Sequence, residues 1–424
     1  MADIPTPRGM RDLMPNEALF RRELLEKIER VFRRYGFLTI DTPVLEATKI
    51  LTAKDVIGDE SKLIFETKSE GFALKYDQTV SLARYVATYQ SLPMPFKRYC
   101  IDKAWRRDEP QKGRYREFTQ ADVDIIGGRA PVADAEVIAT AAKALEEIGF
   151  EYVVRLNNRV FIDSLLASIG VKEELFNQIM RIIDKMDKIG RDGVIEQLQA
   201  LGLDRDTVDK IDRLINSEGS EEEKLELVEK TMSDKAALQE VRETLELLKL
   251  YALKGDIIVD FSLMRGLDYY TGIVFEIMAG DKQYKSSMAG GGRYDKLTSM
   301  LGGRQVPAVG ISLGIDRILE VMNFSSSQKQ TFATVFIANI KDSNYQYALK
   351  VAAALRAAGI GVDLNAASRN ISNQLAYANA LKFKWVIVCG DAEEKLNNVK
   401  VRNLIDGVEK SATLDEAIKT INGQ

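Results

Sequence analysis

The stretch AWRRDEPQKGRYREFTQADVDIIG, residues 104–127, holds the densest set of chemically informative side chains in the chain. Two strand-like halves flank a loop rich in Arg, Lys and Gly, which predicts a β-hairpin. Arginines that project from such a loop suit the binding of a polyphosphate, because a planar guanidinium pairs with phosphate oxygens through two hydrogen bonds. A salt-bridged surface hairpin is the alternative interpretation.

A run of basic residues interleaved with aromatic ones extends around this loop, from Lys97 to Arg116. Such a run is typical of a solvated face, and it also fits contact with nucleic acid or phosphate. The formal net charge of −4 argues against a protein covered in basic residues for indiscriminate nucleic-acid binding. A local basic surface remains compatible with that charge.

The composition excludes several classes of catalyst. The chain contains no histidine, so a Ser-His-Asp triad, a Cys-His pair, an H-E-x-x-H zinc helix and an imidazole base are impossible. Its two cysteines, Cys100 and Cys389, are too few for a disulfide framework or a thiolate cluster. Any chemistry must therefore use carboxylates, arginines, tyrosines, backbone amides or the substrate's own groups, which favours phosphoryl or nucleotidyl transfer.

The N-terminus and the hydropathy pattern bear on location. The first residues, MADIPTPRGMRDLMP, lack the apolar core of a secretory signal. No stretch approaches the roughly 20 apolar residues that a membrane span requires. We therefore expect a cytoplasmic protein that does not contact a membrane.

The order of strand-like and helical segments predicts an α+β fold. A helix running to Tyr35 and stopped by Gly36 precedes the strand-like segment 37–46, which Pro43 interrupts. Because proline lacks an amide donor, that strand should lie at a sheet edge, one possibility being a subunit boundary. Further strands follow in runs with few helices between them, which favours a mainly antiparallel sheet. These strands are predicted at 72–77, 96–104, 115–126, 257–263, 272–279, 284–291 and 308–313.

Changes in character along the 424 residues predict several domains. We expect the first part of a catalytic core at 1–159, a helical insertion at 160–253 and the second part of the core at 254–325. After a polar, Ser-rich segment, strands and helices alternate over 330–424, which predicts a separate α/β domain.

Two further motifs carry chemistry. SLMRGLDYYTGIVFEI, 262–277, places Arg265 and Asp268 beside two tyrosines, and AGGGRYDKL, 289–297, contains a glycine triplet that either lets a ligand approach the backbone or serves turns and close packing. In PAVGISLGIDRILEVM, 307–322, a strand runs through glycine into a helix with Arg317 in its first turn. A cation there does not help the helix dipole, which points to an anionic ligand.

The order of a Pro-containing strand, an Arg-rich hairpin and a glycine-strand-helix element with Arg resembles motifs 1, 2 and 3 of class II aminoacyl-tRNA synthetases. PRGMRDLMP, KYDQT, the 106–127 segment, RGLDYYTG and GGGRYDKL are similar to the signatures of the histidyl-tRNA synthetase family. The resemblance covers residues 5–424. It implies an antiparallel catalytic core with a helical insertion, followed by a C-terminal α/β anticodon-binding domain.

The resemblance also implies roles in ATP binding and catalysis. Arg106 and Arg317 would hold the ATP phosphates, with Asp108 near the adenine and Arg114 on the outer phosphates, while Mg²⁺ would bind through the phosphates. Arg265, with Arg106, would be catalytic and would neutralise charge on the α-phosphate as the carboxylate of the amino acid attacks.

Recognition of L-histidine by resemblance divides between two groups of residues. Asp77, Thr79 and Gln120 would surround the α-ammonium, although bacterial-type members have Glu where this chain has Asp77. A carboxylate plus a phenolic hydroxyl can satisfy both ring nitrogens of a neutral imidazole. The resemblance assigns this second role to Asp124, Tyr269 and Tyr270.

Taken together, the resemblance implies a homodimeric histidine–tRNA ligase with ATP, L-histidine and tRNA(His) as substrates. The tRNA acceptor end would approach the 104–127 hairpin and the anticodon would meet the C-terminal domain. The alternative is a catalytically silent relative that binds histidine, of the type of the ATP phosphoribosyltransferase regulatory subunit. That relative lacks the C-terminal domain and tends to lose the arginine matching Arg265.

Overall fold

The computed structural model of the chain describes residues 4–52, 62–68, 71–230, 235–264, 270–281, 283–284, 286–322, 330–367 and 370–423. The chain divides into two compact units. Residues 1–11 and 24–323 form the first unit, and residues 12–23 and 324–424 form the second. Over the described part of the chain, no helix combines the length and the apolar character that crossing a membrane requires.

The first unit is built on strands that, except for β6, the sequence pattern predicts to within a few residues; β6 was not predicted. They are β1 (Leu38–Thr39), β2 (Leu45–Ala47), β3 (Phe72–Leu74), β4 (Phe96–Trp105), β5 (Glu117–Ile126), β6 (Tyr152–Asn158), β7 (Asp256–Val259), β8 (Ile273–Ala279), β9 (Ser287–Arg293) and β10 (Ala308–Gly314). All except β2 and β3 form one eight-stranded sheet in the order β1-β4-β5-β10-β9-β8-β6-β7.

Antiparallel pairing dominates this sheet, as the sequence predicts. Only the pairs β1–β4 and β6–β7 at its two ends are parallel. The segment 37–46 was expected to be one strand, but it forms two short strands in different sheets, with Pro43 between them. β1 lies at the edge of the large sheet, in agreement with the constraint that proline imposes.

The described helices of the first unit divide into two groups. Those around the sheet are α1 (Pro15–Arg34), of which residues 15–23 are assigned to the second unit, α2 (Thr48–Leu51), α3 (Thr79–Thr88), α4 (Val132–Glu147), α11 (Leu297–Met300) and α12 (Ile315–Val321). Between β6 and β7 the chain is helical, with α5 (Arg159–Ser168), α6 (Phe176–Ile183), α7 (Met186–Ala200, broken at Gly190), α8 (Arg205–Ile215), α9 (Glu221–Glu229) and α10 (Ala236–Leu250).

The register of the central strands brings polar residues and glycines to one face of the sheet. Opposite residues of an antiparallel pair project from the same face. Asp124 of β5 is opposite Gly310 of β10, and one pleat further on Asp122 is opposite Ser312. Gly310 is opposite Gly292 of β9 in turn. Because the glycines carry no side chain, this face has room above the backbone.

The second unit contains the predicted α/β domain. Its strands are β11 (Val335–Asn339), β12 (Val362–Leu364), β13 (Trp385–Cys389), β14 (Asn398–Asn403) and β15 (Glu409–Thr413), and its helices α13 (Tyr345–Ala357), α14 (Ile371–Ala380), α15 (Asp391–Leu396) and α16 (Leu414–Asn422). The strand order is β12-β11-β13-β14-β15, with β11 parallel to both of its neighbours. Apolar residues of β11, β13, β14, α13 and α16 form its main core.

Candidate active site

Two adjoining cavities open on the polar face of the eight-stranded sheet. The outer cavity has a volume of about 170 Å³ and is lined by the loop after β4, the start of β5, β9, the end of β10 and α12. The inner cavity has a volume of about 110 Å³ and lies over β5 and β10 near the start of α3. Four residues line both cavities, namely Arg106, Gln120, Gly290 and Ser312.

The residues that the sequence assigns to ATP all reach the outer cavity. Arg106 follows β4, Asp108 and Arg114 belong to the loop between β4 and β5, and Arg317 lies in the first turn of α12. These positions are far apart in sequence, and the pairing of β5 with both β4 and β10 brings them together. Arg265 lies outside the described residues.

Two of the arginines are held by backbone carbonyls. Arg106 Nε donates to the Tyr76 carbonyl oxygen at 2.9 Å, and the guanidinium carbon lies 5.3 Å from the centre of the Phe118 ring. Arg317 Nη1 donates to the Ser287 carbonyl oxygen at 2.8 Å. These bonds fix the directions of the two side chains, so that little rotamer entropy is lost when an anion binds.

Arg114 and Asp108 form an ion pair across the loop. Arg114 Nη2 lies 2.7 Å from Asp108 Oδ1, and Arg114 Nε donates to Asp108 Oδ2 at 3.0 Å. Arg116 Nε donates to the Asp108 carbonyl oxygen at 2.9 Å. The guanidinium expected on outer phosphates is therefore engaged by Asp108 here, so contact with a phosphate requires it to exchange partners.

Asp316 is a residue of the outer cavity that the sequence analysis did not single out. Its Oδ2 accepts a hydrogen bond from the Thr119 amide at 2.8 Å, and its Oδ1 lies 3.4 Å from Arg11 Nη2. These contacts connect α12 to β5 and to the N-terminal segment. The sequence did offer a signal for Asp316. It directly precedes Arg317 and lies in the first turn of a helix, where an acidic residue is favourable.

The inner cavity collects the described residues that the sequence assigns to histidine. Asp77, Thr79, Gln120, Asp124 and Tyr270 all line it, whereas Tyr269 lies outside the described residues. Asp77 Oδ1 accepts a hydrogen bond from the Val80 amide at 3.0 Å, which holds the carboxylate at the start of α3. Burial raises the pKa of Asp77, although the Val80 amide and Arg106 oppose the shift.

Asp124 is fixed by two residues that the sequence analysis missed as site residues. Arg98 Nη2 lies 3.0 Å from Asp124 Oδ2, and the side chain of Arg98 is only 1% exposed. The Tyr294 hydroxyl donates to Asp124 Oδ1. The glycine opposite is required as well, because a Cβ at Gly310 would lie 1.9 Å from Asp124 Oδ1.

Asp122 is another residue of the inner cavity that the sequence analysis did not single out. It is 2% exposed, and burial raises its pKa to about 7, with Arg98 opposing the shift and Asp124 adding to it. The alternation in QADVD, which puts Gln120, Asp122 and Asp124 on one face of a strand, was a signal available in the sequence.

The glycine triplet has more than one function. Gly290 lines both cavities, as expected for a backbone that a ligand approaches. A Cβ at Gly291 would lie 2.0 Å from the Gly310 carbonyl oxygen, so this glycine is required for close pairing of β9 with β10. Both interpretations of the triplet therefore apply, each to a different residue.

Two family models match the chain. A model described as histidyl-tRNA synthetase matches residues 9–318. A model described as an anticodon binding domain matches residues 334–424.

Curated relatives match over nearly the full length. A histidine–tRNA ligase of Korarchaeum cryptofilum is 38% identical, with 97% of this chain and 98% of the relative covered. A histidine–tRNA ligase of Aeropyrum pernix is 40% identical, with 98% of this chain and 97% of the relative covered.

Solved structures agree with the fold. The crystal structure of histidyl-tRNA synthetase from Nostoc sp. has a TM-score of 0.88 at 26% identity, and covers 100% of both chains. A structure described as an ATP phosphoribosyltransferase regulatory subunit/histidyl-tRNA synthetase from Bacillus halodurans has a TM-score of 0.77 at 24% identity, with 91% of this chain and 98% of that chain covered. At this identity the second likeness shows the fold alone.

Proposed function

Because this chain belongs to the histidyl-tRNA synthetase family, we propose that it is a histidine–tRNA ligase. It activates L-histidine with ATP to histidyl-adenylate and pyrophosphate, and it then transfers histidine to the 3′ end of tRNA(His). The observation that carries this proposal is the junction of the two cavities. Arg106 and Gln120 line both, which puts an anion-binding cleft directly beside a buried pocket of carboxylates.

The proposed activation step requires no imidazole base. A carboxylate oxygen of the substrate attacks the α-phosphorus of ATP, the bond to the bridging oxygen breaks, and pyrophosphate leaves with its electron pair. Since the nucleophile is already ionised, the protein's task is positioning and charge neutralisation. Arg106 and Arg317 hold the ATP phosphates in this scheme, with Arg114 on the outer ones. Arg265, with Arg106, neutralises charge on the α-phosphate.

Magnesium fits this scheme as an ion carried by ATP. Among the described residues, no group of three or more acidic or thiol side chains is arranged to hold a metal. The carboxylates of the outer cavity already have protein partners. Asp108 pairs with Arg114, and Asp316 accepts a hydrogen bond from the Thr119 amide. Mg²⁺ would thus bind through phosphate oxygens and water, where it neutralises phosphate charge.

The amino acid would occupy the inner cavity with its carboxylate at the junction. Asp77, Thr79 and Gln120 receive the α-ammonium in this proposal. Asp124, Tyr269 and Tyr270 surround the imidazole. The buried Arg98 and the Tyr294 hydroxyl support this assignment, because they hold Asp124 in one orientation toward the cavity.

The proposed division of labour along the chain follows the domain boundaries expected from the sequence. Residues 1–159 and 254–325 form the catalytic core, 160–253 an inserted helical subdomain, and 330–424 the part that meets the anticodon. The match of residues 334–424 to an anticodon binding domain supports the last assignment. Charging of tRNA for translation would take place in the cytoplasm.

We also propose that the enzyme is a homodimer. β1 is a two-residue strand at the sheet edge, and Leu38 on it is 63% exposed. Further exposed apolar residues are Val44, close to β1 in the chain, and Leu45 and Phe72 of the two-stranded sheet formed by β2 and β3. An apolar edge of this kind is a site of association between chains.

The regulatory alternative is not favoured. Residues 334–424 match an anticodon binding domain, and such a regulatory subunit lacks this domain. The full-length relatives quoted above are histidine–tRNA ligases.

The test of the proposed function is amino-acid-dependent exchange of pyrophosphate into ATP, measured with each of the twenty amino acids. We expect exchange with L-histidine alone. Exchange with another amino acid would mean a different specificity. Histidine binding without any exchange would support the silent relative instead.

A further inference from the structure

Three buried oxygen atoms of residues that line the inner cavity accept no hydrogen bond within the described part of the chain, namely Asp122 Oδ1, Gln120 Oε1 and Asp124 Oδ2. Asp124 Oδ2 is compensated by its ion pair with Arg98 at 3.0 Å, which leaves Asp122 Oδ1 and Gln120 Oε1. The two residues are 2% and 8% exposed, and both line the cavity. A buried acceptor without a donor costs about 1–3 kcal/mol. Two such acceptors at one cavity therefore indicate a ligand that brings hydrogen-bond donors.

The other carboxylates of the cavity are already engaged. Asp124 receives the Tyr294 hydroxyl on one oxygen and lies 3.0 Å from Arg98 on the other. Asp77 Oδ1 receives the Val80 amide. Asp122 interacts with the Ser312 hydroxyl, but its Oδ1 still has no donor.

The location of Asp122 indicates which part of the substrate it meets. The carboxylate of the amino acid must lie at the junction, where Arg106 and Gln120 line both cavities. Asp122 lies one pleat further along β5 than Gln120 and lines the inner cavity only. Residues two apart on a strand are separated by about 7 Å. That distance takes Asp122 away from the carboxylate end and toward the side chain of the ligand.

We propose that Asp122 is a specificity-determining residue whose Oδ1 accepts a hydrogen bond from a ring N–H of bound histidine. Asp124, held by Arg98 and Tyr294, keeps its proposed place beside the ring, and Gln120 Oε1 receives the α-ammonium. The inference rests on the proposed activation of histidine. A side chain of similar shape without a ring N–H would leave Asp122 buried and unsatisfied, so the site would reject it.

The test compares Asp122→Ala and Asp122→Asn by histidine-dependent pyrophosphate exchange. Asp122→Ala should raise the KM for histidine by about 10- to 100-fold, since it removes an acceptor that a donor nitrogen needs. Asp122→Asn should raise it less, because the amide oxygen still accepts. The KM for ATP should change by less than about twofold in both variants, as Asp122 does not line the outer cavity.

The matched control is Asp212→Asn. Asp212 is 7% exposed and is bound by Arg191 at 2.6 Å in the helical segment between β6 and β7. The substitution Asp212→Asn makes the same chemical change as Asp122→Asn, but at a buried carboxylate that lines neither cavity. We expect an unchanged KM for histidine in this variant.

A substrate analogue gives a second readout that a merely structural role would not move. L-Thiazol-4-ylalanine keeps the ring shape and one acceptor nitrogen but has no ring N–H. Wild-type enzyme should prefer histidine over this analogue in kcat/KM, and Asp122→Ala should reduce that preference by about tenfold or more. Should this variant not fold, the same ratio in Asp122→Asn is measured, where a smaller reduction is expected.

The outcomes separate this inference from the proposed function. Wild-type protein without histidine-dependent exchange would overturn the proposed function. Wild-type exchange together with an unchanged preference in the Asp122 variants would overturn the role of Asp122 alone. A variant that instead loses the preference for histidine over its des-amino analogue, imidazolepropionate, would place Asp122 at the ammonium and would likewise overturn the proposal.

Discussion

At the scale of single residues, we expect Asp122 to make the stability of the protein depend on pH. Burial, with Asp124 and Asp77, raises the pKa of this carboxyl to about 7 against the opposing effect of Arg98. The folded state therefore binds more protons than the unfolded state between about pH 4 and 7, and stability is lost as the pH rises through this window. Asp122→Asn removes the ionisation. It should be more stable than wild type above pH 7 by roughly 2–4 kcal/mol.

Urea denaturation at pH 5, 6, 7 and 8 measures this difference. It should shrink toward low pH, where Asp122 is protonated in the unfolded state as well as in the folded state. A constant difference across the four pH values would contradict the role of ionisation. A variant that is more stable and yet binds histidine less well would also separate loss of function from loss of fold.

Gly310 is the residue whose replacement should damage the site most directly. A Cβ at this position would lie 1.9 Å from Asp124 Oδ1, so Gly310→Ala must displace the carboxylate from Arg98 and Tyr294. We expect a loss of about 2–4 kcal/mol in the free energy of unfolding.

Gly314→Ala is the matched control for stability. Its nearest neighbour, the Met288 carbonyl oxygen, would lie 3.5 Å from the new Cβ, an ordinary contact. Thermal unfolding of both variants distinguishes them. Equal destabilisation would mean that the clash with Asp124 is relieved by movement of the strands.

Arg265 has a role here only through the family resemblance. Replacing it with Ala should slow adenylate formation far more than it weakens ATP binding, because its contact is proposed to form in the transition state. Single-turnover kinetics and equilibrium binding of ATP measure the two effects. Equal losses in both would argue for a binding role alone.

At the scale of elements, a buried ion pair joins β9 to α4. Arg293 Nη2 lies 2.6 Å from Asp134 Oδ2 and Arg293 Nε donates to Asp134 Oδ1 at 3.0 Å, with both residues buried. Asp134→Ala would leave the guanidinium in the interior with Asp295 at 3.2 Å as its remaining acidic contact. Removing one partner of a buried pair costs about 3–5 kcal/mol.

Urea denaturation of Asp134→Ala and Asp134→Asn tests this estimate. The Asn variant should lose less, because its amide oxygen still accepts a hydrogen bond from Arg293. A loss below about 1 kcal/mol in the Ala variant would mean that Asp295 compensates. Arg293 belongs to the GGGRYDKL segment, so part of that signature is required for the fold rather than for a ligand.

Several elements could be predicted from the sequence because their cause is local. The helix that ends before Gly36 follows from its apolar spacing, with Leu24, Leu25, Ile28, Val31 and Phe32 buried on one face. The helix starts at Pro15, in agreement with the preference for proline at a first helical position. β15 was not predicted, since its exposed residues show little hydrophobic pattern and the strand depends on pairing with β14.

At the scale of the whole molecule, the two compact units predict separable activities. A chain ending at residue 325 keeps every described residue that lines the two cavities. We expect it to retain histidine-dependent pyrophosphate exchange and to charge tRNA at least about tenfold more slowly, because the matched anticodon-binding segment is absent.

Steady-state exchange and aminoacylation, compared between the shortened and the full chain, provide the measurement. A parallel loss of both activities would contradict separability. Retention of both would mean that residues 330–424 contribute nothing to tRNA recognition.

The sequence by itself determined the class of fold, the family and nine of the 24 residues that line the two cavities. Motifs keep their order along the chain, alternation on β5 assigns Gln120 and Asp124 to one face, and the absence of histidine removes whole classes of mechanism. Each of these signals lies within a short window, where period and residue type are sufficient evidence.

Only the tertiary structure decided how that face is completed. Tyr294 reaches Asp124 across 170 residues of sequence, and it does so because β10 pairs with β5 on one side and β9 on the other. No local pattern specifies which distant strands become neighbours or in which register, since that choice depends on the packing of the entire sheet. The same register leaves Asp122 with an unsatisfied oxygen in the inner cavity.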